Sequence, residues 1–241
     1  MNSSPPQIPV QAIPFEYGLP NLAQAIEASD TVKIVALGSS TTAGEGGIVA
    51  YPYRLETLLR DKYMSPRINV INRGVGGEEA PKELERMNRD VIAERPSLVI
   101  WQMGTNAVWQ SKEDNPPSHD ETIAALREGI DYLRREVATD IILMDSQYVP
   151  AMLTDATKKA TDEMVSAIAD VSREKKVNLF RRFELMKGWH EVEKVSFDRI
   201  VDPRDDKRLH DSDWTTQRLS EALGNLILAV VPKPATLSEL S

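Results

Sequence analysis

Short apolar runs alternate along the chain with stretches in which apolar residues return every three or four positions. The first pattern reads as buried strands and the second as amphipathic helices. Val32–Leu37, Ile68–Ile71, Leu98–Met103, Asp140–Met144 and Val177–Phe180 are the predicted strands. Helices are predicted over Tyr51–Tyr63, with Leu55, Leu58 and Leu59 on one side, and over Ala80–Ala93, with Leu84 and Met87 in register. After a loop containing Asn115-Pro116-Pro117, Ser118 and Glu121 form a capping-box pattern. It opens a helix carrying Ile123, Leu126, Ile130, Leu133 and Val137. Thr154–Lys175 and Asp211–Val230 predict two further helices, and Asn21–Ser29 a short one before the first strand.

Strands alternating with helices imply right-handed βαβ units and a mostly parallel sheet covered on both faces. The expected fold is a single-domain, three-layer α/β/α arrangement around about five strands, flavodoxin-like in connectivity. Residues 1–20, rich in proline and polar residues, read as an extended N-terminal arm. Residues 21–232 read as the domain and 233–241 as a C-terminal tail, with no linker-like break between 30 and 232.

Composition narrows the function classes. The net charge of −8 comes without a basic face, so a nucleic-acid partner is not expected. No cysteine is present, which removes thiolate metal sites and cysteine nucleophiles. The apolar run Leu226–Val231 is too short to span a bilayer. The N-terminus has no basic and apolar leader pattern, so no signal peptide is expected. Residues 2–20 also suit the start of a processed form bearing an added methionine, so the expectation is a soluble protein of either compartment.

Three strand ends carry small polar residues: Gly38-Ser39-Ser40, Gly74-Val75-Gly76-Gly77 and Gly104-Thr105-Asn106. In a parallel sheet these ends converge on one edge, where ligands bind. A serine hydroxyl, a glycine-rich turn with free N–H groups and an asparagine amide are the parts needed for acyl transfer. The base must come from His119, His190 or His210. His119 falls in the first turn of a helix and His190 in a segment of mixed polarity, so both read as structural or exposed. His210 follows an acidic segment just before the last helix.

Rival sites fail on detail. Neither GxGxxG nor GxxxxGK[ST] occurs at the glycine-rich turns. The GxSxG elbow is absent around Ser40, and the histidines lack metal-ligand spacing. Neither a metal nor an organic cofactor is therefore expected.

From Val32 to Val230 the chain resembles the SGNH hydrolases, the GDSL esterase/lipase family. The resemblance rests on four blocks in family order: Gly38-Ser39-Ser40-Thr41, Asn72-Arg73-Gly74-Val75-Gly76-Gly77, Gly104-Thr105-Asn106 and the segment ending at His210. It implies Ser40 as nucleophile, His210 as general base, and an oxyanion hole of the Ser40 and Gly77 N–H groups with the Asn106 amide. Gly76 competes with Gly77 for that place. The family's aspartate before the nucleophile is Ser39 here, and its acid three residues before the histidine is Lys207. Asp206 is favoured as the replacement acid, with Asp205 or a Ser-His dyad as alternatives. Trp109 and Arg73 are candidates for the substrate pocket. The expected activity is hydrolysis of short-chain esters, with acetyl esters of carbohydrate or another small molecule as substrates. An acyltransferase, or a glycan- or acyl-binding module without turnover, would use the same edge.

Overall fold

The computed structural model describes residues 10–28, 31–109 and 116–232. Helix α1 (Pro20–Glu27) leads to β1 (Val32–Gly38), α2 (Ser40–Ala43), α3 (Tyr51–Tyr63), β2 (Ile68–Gly74) and α4 (Ala80–Asp90). There follow β3 (Leu98–Gln102), α5 (His119–Glu136), β4 (Asp140–Met144), α6 (Lys158–Lys175) and β5 (Asn178–Phe180). The chain ends in α7 (Arg182–Glu191), α8 (Phe197–Ile200) and α9 (Asp213–Val230).

The five strands are all parallel, in the order β2-β1-β3-β4-β5. This is the flavodoxin-like order, with its switch point between β1 and β3. Leu37 pairs with Arg73 on one side and Trp101 on the other, so the carboxyl ends of β2, β1 and β3 stand level. Helix α3 packs on α9, and α4 and α6 pack on α5. Every residue of β3 and β4 is buried, as expected of strands covered on both faces.

Several boundaries match the expected ones because local signals and packing agree. Tyr51–Tyr63 and Asp140–Met144 have the expected ends. Ser118 and Glu121 form the capping box in full at the start of α5. Strand β2, however, runs on to Gly74, because Asn72, Arg73 and Gly74 pair with Ala36, Leu37 and Gly38. Backbone pairing at a sheet edge does not require apolar side chains. Helix α7 was not expected: its buried set includes Arg182 beside Phe183, Leu185, Met186 and Trp189, so no single apolar stripe announces it. Helix α9 begins at Asp213 rather than Asp211, with the Ser212 side chain accepting the Thr215 N–H at its N-cap.

The described part of the N-terminal arm meets α7 at Val10 and β5 at Tyr17. The Tyr17 N–H donates to Asn178 Oδ1, and Asn178 Nδ2 donates back to the Tyr17 carbonyl. Residues 1–9, Ser29, Asn115 and the tail 233–241 lie outside the described residues. Among those described, no helix is long and apolar enough to cross a membrane, and no group of three or more acidic or histidine side chains is placed to hold a metal ion.

Candidate active site

Strand β1 ends at Gly38, and the chain turns through Ser39 into the short helix α2. Ser40 is the first residue of α2, where an N–H has no acceptor within the helix. Its neighbours are tethered: the hydroxyls of Ser39, Thr41 and Thr42 each lie 3.1 Å from Gln102 Oε1 at the end of β3. Ser40 Oγ is not held this way and lies 3.2 Å from His210 Nε2. Of four consecutive hydroxyls, one therefore faces the base.

The second strand end braces the first. Asn72 Nδ2 donates to the carbonyls of Thr42 and Ala43 at 2.8 and 3.2 Å, serving the open end of α2. A Cβ on Gly74 would stand 2.2 Å from the Ala43 nitrogen, so only glycine lets β2 approach α2 this closely. Beyond it, Gly76 lies beside Ser40, where an added Cβ would come 3.9 Å from Ser40 Cβ. The space that a Cβ on Gly77 would enter is open.

The third strand end is organised by Glu79, a residue that no motif in the sequence marks. Its carboxylate caps α4 and accepts N–H bonds from Ala80 and Gly104 on one oxygen, and from Asn106 and Ala107 on the other. The Asn106 side chain donates from Nδ2 to the Glu78 carbonyl at 2.8 Å. That bond fixes the amide plane and leaves its second N–H to point elsewhere. Burial pushes the Glu79 carboxyl up, against the pull of the four N–H groups. Glu83, one turn along α4, is pushed well above the ordinary range by burial and by the Glu79 charge, opposed by the Trp101 indole N–H. Of the two, Glu83 therefore holds a proton more readily.

His210 comes from the loop between α8 and α9. The carboxylate on its Nδ1 belongs to Asp205, at 2.9 Å. This corrects the sequence-based preference for Asp206, which is exposed and lines the cleft outside. The reason lies in the turn. Asp205 accepts the Arg208 N–H through its own carbonyl, and its side chain accepts the N–H groups of Lys207, Leu209 and His210. The chain folds back over these residues, so the fifth residue before His210 meets the ring and the fourth faces solvent. Burial raises the Asp205 carboxyl, but the His210 and Leu209 N–H groups, the His210 charge and the Lys207 N–H outweigh it and hold it below the ordinary value.

A buried network anchors this loop. Gln147 Nε2 donates to the Leu209 carbonyl, while Gln147 Oε1 accepts from Thr105 and Arg182. Arg182 Nη1 lies 3.8 Å from Asp211 Oδ2. Burial raises the Asp211 carboxyl to about 6, with Arg182 and His210 drawing it back. The residues flanking Asn106 and His210 are thus joined through one glutamine. No spacing in the sequence marks Gln147 or Arg182 for this role.

Trp109 is half-buried, and Lys207 Nζ stands 5.1 Å from the centre of its ring. Arg73, offered by the sequence as a pocket residue, is engaged elsewhere. Its Nη2 donates to Glu94 Oε1 at 2.7 Å, and Glu94 also pairs with Lys33 near the start of β1. It is thus part of a surface ion-pair cluster. His119 stands beside Asp120 at the head of α5, and His190 stacks on Phe197, so neither approaches Ser40.

A family model described as the Non-GDSL lipase-like family matches residues 5–233. An acetylxylan esterase from Geobacillus stearothermophilus is 27% identical over 153 residues, 58% of this chain and 68% of that protein. The solved structure of Axe2, an acetylxylan esterase from the same organism, superposes with a TM-score of 0.66 at 21% identity. It covers 85% of this chain and 96% of Axe2. Structures of Axe2 with a serine, an aspartate or a histidine replaced by alanine are described as those of catalytic mutants. AlAXEase, an acetyl xylan esterase, superposes with a TM-score of 0.68 at 19% identity over 81% of this chain and all of that one. With the four SGNH-type blocks meeting at one sheet edge, the chain belongs to the Non-GDSL lipase-like family.

Proposed function

We propose that the protein is a serine esterase that removes short acyl groups, acetyl above all, from carbohydrate esters. The observation that carries this reading is His210 bridging Ser40 Oγ through Nε2 and Asp205 through Nδ1. Asp205 holds the proton on Nδ1, so Nε2 is free to take the Ser40 proton as Oγ attacks the acyl carbonyl. The charge that develops on the carbonyl oxygen meets the Ser40 N–H, the Asn106 amide and the Gly77 N–H. His210 then returns the proton to the leaving alcohol, and water repeats the cycle on the acyl-enzyme.

Volumes favour a small acyl group. The space beside Ser40, lined by Thr41, Ile48, Ala50 and Thr216, is about 10 Å³, about the room of one water molecule. A cleft of about 500 Å³, also lined by His210, opens between polar side chains. The leaving alcohol must reach His210 for its proton, which assigns the cleft to the alcohol. The acetylxylan esterase relatives support acetylated xylose units as the substrate.

The test is turnover of p-nitrophenyl acetate, butyrate and octanoate, with acetate release from acetylated xylo-oligosaccharides. We expect kcat/KM to fall about 10-fold or more from acetate to octanoate. A flat profile would refute the small acyl site, and inertness on every ester would leave a binding module. Asn106→Ala is expected to lower kcat by about 10²-fold or more, the usual cost of one oxyanion donor, while p-nitrophenyl acetate KM stays nearly constant. An unchanged kcat would restrict Asn106 to bracing the Glu78 carbonyl.

A further inference from the structure

We propose that Glu45 determines specificity for the alcohol half of the ester, by accepting a hydrogen bond from the sugar hydroxyl next to the acylated one. This inference rests on the carbohydrate-ester reading above.

Glu45 sits between Gly44 and Gly46, whose φ angles are +85° and +63°. Glycine adopts such angles without the usual steric cost, and the loop can thereby turn a single charged side chain toward the site. Glu45 Oε2 lies 3.2 Å from His210 Nε2, as close as Ser40 Oγ. On the other side, a Cβ on Gly76 would come within 3.0 Å of Glu45 Oε1. The carboxylate therefore stands over the gap between the base and the second strand end, and it walls the cleft that continues to Asp202, Arg204, Asp206 and Lys207. Its side chain is nevertheless 47% exposed and free to readjust.

The contact with Nε2 conflicts with the reactive state. With Asp205 on Nδ1, the neutral ring presents a lone pair at Nε2, which the Ser40 hydroxyl needs. A carboxylate facing that lone pair has no proton to accept, so in the reactive state Glu45 requires another donor. A polyol supplies one. Its ester oxygen must come to Nε2 to be protonated, and the hydroxyl on the adjacent carbon then falls beside Glu45, the other side chain besides Ser40 that stands 3.2 Å from that nitrogen. A simple alkyl alcohol offers no such donor, and the cleft presents it with charged side chains.

The experiment compares wild type, Glu45→Gln and Glu45→Ala on three substrates. These are p-nitrophenyl acetate, a mono-O-acetylated methyl β-xyloside, and its deoxy analogue lacking the neighbouring hydroxyl. For Glu45→Ala, kcat/KM on the xyloside relative to p-nitrophenyl acetate should fall about 30-fold, the value of one hydrogen bond to a charged group, with Glu45→Gln in between. Wild type should prefer the hydroxylated xyloside over the deoxy analogue by about 10-fold or more, and Glu45→Ala should lose that preference. Parallel changes on all three substrates, or a preference that survives in Glu45→Ala, would overturn the role of Glu45 alone. Wild type that cleaves p-nitrophenyl acetate but neither xyloside would overturn the carbohydrate reading and this inference with it.

Discussion

Ser40→Ala should lower kcat by about 10⁶-fold, the loss seen when a triad nucleophile is removed, with little change in stability. The size follows from the absence of a substitute. Ser39, Thr41 and Thr42 are the adjacent hydroxyls, and all three are directed at Gln102 Oε1. None is within hydrogen-bond distance of His210 Nε2, as Ser40 Oγ is. The oxyanion donors survive in the variant, including the backbone N–H at position 40, so activity above the uncatalysed rate persists. Stability should change by about 1 kcal/mol or less, because one hydrogen bond is lost and the tether through Gln102 remains. Steady-state turnover of p-nitrophenyl acetate beside a urea unfolding curve checks both parts. Turnover within about tenfold of wild type would mean that another group attacks.

Asp205→Asn should lower kcat by about 10³- to 10⁴-fold, whereas Asp206→Asn should change it by less than about threefold. Asp205 accepts three backbone N–H groups and the ring Nδ1. An asparagine oxygen in the place of Oδ2 keeps the Leu209, His210 and ring bonds and gives up only the Lys207 N–H, so the loop should fold. What it lacks is the charge that stabilises the imidazolium formed when Ser40 gives up its proton. Because Asp205 is held below the ordinary carboxylate value, it stays ionised through the neutral and mildly acidic range, where the enzyme needs it. Asp206 is exposed and bonds neither the ring nor the turn. The reverse ranking of the two variants would place the functional acid at 206 and show that the loop rearranges when substrate binds.

That pair of residues marks where sequence reasoning stops. From the sequence Asp206 was favoured as the partner of His210, with Asp205 or a Ser-His dyad as alternatives, and the structure puts Asp205 on the ring. Which of the two reaches the ring depends on how a six-residue segment folds back, and its main determinants are backbone N–H groups that every residue carries. Arg73 shows the same boundary. Its place beside the second block suggested a pocket, and only the packed structure reveals Glu94 beside its guanidinium.

Read alone, the chain determined the layer architecture and the strand positions, and it pointed to Ser40, Asn106 and His210 as neighbours at one edge. Those features follow from periodicity, from glycine and polar breaks at strand ends, and from the rule that parallel strands share a carboxyl edge. The boundaries that failed were those with no local signal, such as the polar end of β2 and helix α7 with its buried Arg182. Tertiary structure alone decided the supporting groups. Glu79 gathers four N–H groups from the start of α4 and the loop after β3, Gln102 sorts four hydroxyls into three that are tethered and one that is not, and Gln147 links the asparagine turn to the histidine loop. Each is a single polar side chain buried among partners distant in sequence. Its role is set by which unpaired groups surround it after folding, and no pattern along the chain encodes that.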